Sequence, residues 1–213
     1  MGLLDYLHGD LIHGRRARVL AGHLAVLLPP GARVLDVGAG DGLLASLVAV
    51  RRPDLTFEGI DVLVRRRTRI PVRSFDGRRV DAADGSYDIV LFVDVLHHAA
   101  DPEALLAEGV RLARRHLIIK DHTRDGLLAG ARLRLMDWVG NARHDVSLPH
   151  HYWSRRQWDS VLARHALHVE TWNDRLGLYP AWGQWLFERG LHFMARLRVT
   201  TSIPLTEPPG PAR

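Results

Sequence analysis

The sequence predicts a doubly wound α/β domain with a mostly parallel sheet, and three observations carry that reading. Short apolar runs alternate with helical patterns through the first 120 residues, the order expected of parallel strands joined by crossover helices. The first run, Val34 to Val37, leads directly into Gly38-Ala-Gly-Asp-Gly42, after which Leu43, Leu44, Leu47 and Val48 recur at helical spacing. Glycines therefore sit at a strand-to-helix turn. A length of 213 residues gives one such domain a continuous core and leaves room for appendages.

The elements follow in order. Val19, Leu20, Leu24, Leu27 and Leu28 keep helical periodicity until Pro29-Pro-Gly31, so a helix is expected over 15–28. Strands are expected near 33–37, 56–60, 70–74, 88–93 and 116–120, and helices over 42–51 and 102–114. Trp158, Val161 and Leu162 mark a further helix. A last helix is expected from Ala181 to Leu197, presenting Trp182, Trp185, Leu186, Leu191 and Phe193, before a disordered Pro-rich tail over 201–213.

Composition narrows the function classes. Hydrophobic residues at 46% and charged residues at 25% argue against bulk disorder. The absence of cysteine excludes disulfides, thiolate metal sites and a cysteine nucleophile, and permits a reducing cytoplasm, the expected location. The opening residues lack an export signal, and no apolar run approaches membrane-spanning length. A net charge of +5 admits nucleic acid or an anionic membrane surface as partner. Nearly all of that charge is arginine, however, with Lys120 the only lysine. The densest run, Arg65-Arg-Arg-Thr-Arg69, has no interleaved aromatic residue for base stacking, which disfavours nucleic acid.

The glycine loop has its own chemistry. Glycine at 38, 40 and 42 lets backbone approach a ligand, and the helix N-terminus behind it offers free N–H groups. A dinucleotide loop needs G-x-G-x-x-G, but position 43 is Leu, so nicotinamide binding is disfavoured. Asp36 to Gly42 resembles the D-x-G-x-G-x-G motif of the class I S-adenosylmethionine (SAM)-dependent methyltransferases, of the methyltransferase type 11 kind. Further positions agree: the acid ending Phe57-Glu-Gly-Ile-Asp61, the acid in Ser74-Phe-Asp-Gly77, and Ser86 to His98 followed by Asp101-Pro102. The resemblance covers roughly Arg33 to Lys120.

It implies a Rossmann-like, seven-stranded, mostly parallel sheet in three α/β/α layers, within a single domain over 1–200. The cofactor core would span 33–120 and a substrate-covering insertion 121–153. Leu167–Trp172 and Arg175–Tyr179, flanking Asn173-Asp174, would form the family's final antiparallel pair. Asp36, Gly38, Ala39, Gly40, Gly42, Asp61, Val62, Asp76, Gly77 and Asp94 would hold SAM, with Asp61 on the ribose and Asp76 at the adenine amino group. Fourteen residues lie between Asp61 and Asp76, so the helix usual between those strands must be shortened or replaced. Where many relatives have Pro-Gly-Gly before the fifth strand, this chain has Arg114-Arg-His116.

Ligands in open α/β sheets sit beyond the carboxyl ends of strands, which places Asp94–His98 and Lys120–His122 near the reacting methyl. Asp94-Val-Leu-His-His98 resembles the acid-x-Leu-Glu-His run of ubiquinone-biosynthesis O-methyltransferases. His98 is then the candidate base, with Asp94 and His97 beside it. Asp121-His122 could form an acid–histidine pair, but adjacent residues after a strand tend to diverge, so a structural turn is expected there. His144, His150 and His151, with Asp94 and Asp145, lack metal-ligand spacing, so no metal is assigned. Tyr152, Trp153 and Trp138 could line an acceptor pocket. The last helix, with Arg189, Arg196 and Arg198, could touch lipid, although docking onto the sheet fits it better. The expected function is methyl transfer from SAM to a small-molecule or lipid-like acceptor, foremost at oxygen. The alternatives are transfer to carbon or nitrogen, and a catalytically silent SAM-binding scaffold.

Overall fold

The computed structural model describes residues 3–125, 128–133, 151–180, 184, 187–188 and 190–200, with side chains from Gly14 onward. Its sheet has seven strands in the order β3-β2-β1-β4-β5-β7-β6. Strands β1 (Arg33–Val37), β2 (Thr56–Asp61), β3 (Val72–Ser74), β4 (Tyr87–Val93) and β5 (Ala113–His122) run parallel. Strand β7 (His192–Val199) runs antiparallel between β5 and β6 (Leu167–Asn173). The order reverses between β1 and β4, and that is where an open α/β sheet leaves a crevice.

Alternation along the strands separates two cores. On β1 and β4, Val34, Ile89 and Leu91 face one layer, and Leu35, Val37, Val90 and Phe92 face the other. The first layer is closed by α1 (Leu3–Leu27) and α2 (Leu43–Arg51) through Leu20, Leu24, Ala45 and Val48. The second is closed by α3 (Pro102–Leu112) and α4 (Arg155–Arg164) through Leu105, Leu106, Trp158, Val161 and Leu162. Three-layer α/β/α architecture follows directly. Helix starts are locally encoded. Asp101 accepts from Ala104 N at 3.0 Å with Pro102 in the first turn, and Ser154 with Gln157 forms a reciprocal capping box.

As expected from the fourteen-residue spacing, no helix joins β2 to β3; residues 62–71 form an irregular loop. Three expectations change. Helix α1 begins at Leu3, well before residue 15. The segment 175–179 is not a strand, because the Gly177 and Tyr179 amides donate to the Glu188 carboxylate and not to a ladder. The helix expected through Leu197 gives way to β7 over its last residues. There Phe193, Ala195, Leu197 and Val199 alternate with Met194, Arg196 and Arg198, a period of two that outweighs the helical spacing of the upstream tryptophans. Arg196 and Arg198 pair with Glu170 on neighbouring β6, at 2.8 and 2.9 Å, so they form no basic helix face. Trp182, Trp185, Leu186 and Arg189, and the tail over 201–213, lie outside the described residues.

Candidate active site

The loop from β1 to α2 is made of backbone. Gly38, Gly40 and Gly42 all have positive φ, at 73°, 59° and 75°. A Cβ at Gly38 would lie 2.5 Å from the Val95 side chain, and one at Gly42 2.6 Å from Ile70, whereas one at Gly40 would meet nothing within 4 Å. Two glycines are therefore required by packing and the middle one by the space it leaves open. That space is a cleft of about 330 Å³ lined by Arg16, Asp36, Gly38–Asp41, Leu44 and Asp94, among others.

Asp36 is buried on β1 with the cleft above it. Burial, reinforced by the nearby Asp61 charge, pushes its carboxyl up to about 7. Asp61, ending β2, accepts from Gly40 N and Leu63 N, each at 2.8 Å. Each oxygen of that carboxylate keeps accepting capacity for a further donor. Asp76 is exposed, and its Oδ1 accepts from the amides of Arg78 and Arg79 at 2.8 and 2.9 Å, closing a turn around Gly77. Val62 lies 63% exposed across from that turn, 3.3 Å from where a Gly77 Cβ would sit.

Beyond the carboxyl ends of β4 and β5 the surface is made of side chains. Asp94 takes a left-handed conformation, φ 56°, unfavourable for a residue with a Cβ. Its carboxylate hydrogen-bonds the Lys120 ammonium, reaches Arg16 of α1 at 3.3 Å and lies 3.7 Å from His122 Nδ1. Burial opposes ionisation of Asp94, but the cations, led by Lys120, hold it well below the usual carboxylate range. Lys120 is fully buried, with His192 Nδ1 at 3.3 Å.

A second group adjoins it. His97 Nδ1 lies 2.6 Å from Asp121 Oδ1, both side chains at most 3% exposed. His122 donates its amide to the same oxygen at 2.8 Å and brings its ring Nδ1 to 3.3 Å. Asp121 Oδ2 is buried and has no hydrogen-bond partner among the described residues. Burial, then the Lys120 charge, pushes the His122 imidazole down to about 4. The same causes hold His192 well below its ordinary value. Tyr152 stacks on His97 at 5.6 Å between ring centroids, and the His151 amide donates to the His97 carbonyl at 2.9 Å.

The expected turn at Asp121-His122 is thus the buried end of a strand. Both side chains enter one cluster because the Asp121 carboxylate folds back onto the His122 amide. His98 lies half-buried on the single helical turn Leu96–His98, its ring 3.9 Å from that of His97. Arg16 and His192 were not legible as site residues: one lies on the N-terminal helix, the other on the strand misread as helix. The burial of the only lysine, at the end of an apolar strand run, was a usable signal. Trp138, His144, Asp145 and His150 lie outside the described residues. Trp153 packs edge-on against Trp158 at 4.7 Å and so belongs to the core.

One atom each from His97, Asp121 and His122 lies within 4.8 Å of the others, close enough to share a metal ion. The short His97–Asp121 contact is that of a hydrogen-bonded imidazole–carboxylate pair. The buried Lys120 cation beside the group also opposes a divalent ion. We therefore treat it as an acid–base cluster.

Comparison with known proteins agrees with this geometry. Residues 11–171 match the family model described as methyltransferase domain. The chain belongs to this methyltransferase family. A relative named an uncharacterized methyltransferase, from Mycobacterium sp. strain JLS, is 32% identical to it over 145 residues, covering 64% of the chain and 52% of the relative. The chain thus spans about half the length of the curated relatives it matches. Phosphatidylethanolamine N-methyltransferase of Cereibacter sphaeroides is 30% identical over 135 residues, covering 56% of the chain and 63% of that protein. Among solved structures, magnesium protoporphyrin IX methyltransferase from Synechocystis, with bound S-adenosylhomocysteine, superposes with a TM-score of 0.59 at 16% identity, covering 93% and 89% of the two chains. That likeness is one of fold. The cofactor that goes with the family and with D-x-G-x-G-x-G is SAM, and the open space over Gly40 beside Asp36 suits it.

Proposed function

We propose that the chain transfers a methyl group from SAM to a small-molecule or lipid-like acceptor, foremost at oxygen. The observation that carries this reading is the His97–Asp121 pair at the carboxyl ends of β4 and β5, linked through His122 to Asp94, which lines the glycine-loop cleft. Asp36, Gly38, Ala39, Gly40 and Gly42 would hold the amino-acid part of SAM, Asp61 the ribose, and Val62, Asp76 and Gly77 the adenine. SAM when bound supplies an electrophilic methyl, and the chain's residues position and deprotonate the acceptor.

A hydroxyl acceptor loses its proton as the new carbon–oxygen bond forms. An imidazole fixed by a carboxylate on its other nitrogen is suited to accept that proton. His97, held through Nδ1 by Asp121, has this arrangement, and it displaces His98 as the first candidate base. His98 remains beside it, toward the solvent side. Asp94 would act by positioning, its charge already held by Lys120 and Arg16.

Transfer to nitrogen is the second reading, favoured by the likeness to a phosphatidylethanolamine N-methyltransferase. The test is methyl transfer to hydroxyl, amine and carbon acceptors by the wild type, His97→Ala and His98→Ala. Oxygen transfer lost in His97→Ala alone supports the proposal. Transfer to amines only, indifferent to both substitutions, would replace it with the nitrogen reading. Cofactor binding without turnover on any acceptor would favour the silent scaffold.

A further inference from the structure

The excess positive charge of the chain is concentrated at one edge of the sheet. Residues 62–79 hold seven arginines and one aspartate, net +6, against +5 for the whole chain, which leaves −1 for everything else. This segment comprises the loop that replaces a helix between β2 and β3, the edge strand β3, and the turn that follows it. Arg65, Arg66, Arg67, Arg78 and Arg79 are exposed. Arg69 pairs with Asp41 of the glycine loop at 3.3 Å, tying this edge to the mouth of the cleft. Among the described residues, no ion pair engages Arg65, Arg66 or Arg67.

Immediately before these arginines the chain exposes consecutive aliphatic side chains: Val62 at 63%, Leu63 at 60% and Val64 at 38%. Val62 faces the Gly77 turn, where adenine would pack, so its exposure has an explanation. That of Leu63 and Val64 has none among the described residues. An aliphatic pair at the tip of an arginine-rich loop matches a boundary that is anionic outside and apolar beneath.

We propose that the loop 63–69, with the arginines of the 76–79 turn, is a docking surface for an anionic lipid bilayer. Leu63 and Val64 enter the headgroup–acyl boundary, and the guanidinium groups meet lipid phosphates as paired donors. Nucleic acid fits less well, because the loop offers no aromatic ring for base stacking and a polynucleotide offers nothing to the aliphatic pair. Docking in this orientation sets the cofactor cleft at the bilayer surface. The surface stands whether the acceptor is a lipid or a soluble molecule.

The test is co-sedimentation of the full chain with phosphatidylcholine vesicles, with and without phosphatidylglycerol, at low and high salt. The expected result is binding only where phosphatidylglycerol is present, released by salt. Binding should weaken at least about tenfold in both Leu63→Ser/Val64→Ser and Arg65→Gln/Arg66→Gln/Arg67→Gln, with melting temperatures unchanged. Because the chain has no cysteine, Leu63→Cys provides a unique site for an environment-sensitive fluorophore, whose emission should shift to the blue on phosphatidylglycerol vesicles alone. Absence of binding would overturn the proposal. So would binding indifferent to the aliphatic substitutions, an unshifted label, or tighter binding to duplex DNA at the same salt.

Discussion

The glycine loop after β1 builds its surface from backbone, whereas the cluster beyond β4 and β5 builds its own from seven side chains: Arg16, Asp94, His97, Lys120, Asp121, His122 and His192. The first region is local, nine residues with three positive-φ glycines. The second collects groups from α1, β5, β7 and the turn after β4, and sets four buried nitrogen bases, His97, Lys120, His122 and His192, against the carboxylates of Asp94 and Asp121. Backbone sites tolerate a ligand by omitting Cβ atoms. Side-chain sites need each charge compensated, so their energetics are less forgiving.

That contrast can be broken most forcefully at Lys120. Lys120→Met leaves the Asp94 carboxylate beside the cleft without its main partner. Chemical denaturation should show a loss of about 3 kcal/mol or more, whereas a loss under 1 kcal/mol, on the order of a surface pair, would show that Arg16 compensates alone. The burial of neutral His122 gives a pH test of similar size. The unfolded chain takes a proton on this imidazole near pH 6.5, but the folded chain resists until about 4. Stability from this group is therefore complete above pH 6.5, declines as the pH falls toward 4, and is level below. The share of this group should amount to roughly 3 kcal/mol in unfolding free energy, and His122→Gln should remove that share, leaving the decline in the same direction that buried His192 contributes. A wild-type profile flat across that window would contradict the burial of a neutral ring.

The dyad can be sharpened by Asp121→Asn, which keeps the volume but reverses the tautomer preference of His97. Turnover should fall roughly a hundredfold with cofactor affinity preserved, and a parallel loss of melting temperature and activity would mark the pair as structural. In the backbone-made region the effects are smaller. Asp61→Ala should weaken SAM binding by about 1.5–3 kcal/mol if both ribose bonds are charge-assisted, read by calorimetry, and unchanged affinity would discard that assignment.

The same contrast explains what the sequence made legible. Strands β1, β2 and β4 and the glycine loop were readable because their signals are contiguous: an apolar run, a turn, a helical repeat. Helix α3 was readable from Asp101-Pro102. Strand β7 was not, because tryptophans upstream suggested helical spacing and the alternation from Phe193 to Val199 acquires meaning only once β5 and β6 flank it. The segment 175–179 looked extended, yet its amides are taken by Glu188. In the site, Asp94, His97 and His98 were found by motif and Lys120–His122 by their place at a strand end, but which of them pair, and the parts of Arg16 and His192, were not legible. Which of two adjacent histidines meets a carboxylate depends on the path of the turn after β4, and Asp121 lies 24 residues away on another strand.

Calorimetric titration with SAM, S-adenosylhomocysteine and NAD tests whether the loop and its acids form a SAM site, without knowledge of the acceptor. Both adenosyl-sulfur ligands should bind and NAD should not. Because the Asp36 carboxyl is raised to about 7, capture of cationic SAM should release a proton, so the SAM affinity should rise between pH 6 and 8 and the heat should vary with buffer ionisation enthalpy. Failure to bind either adenosyl ligand, or binding of NAD in their place, would contradict the account.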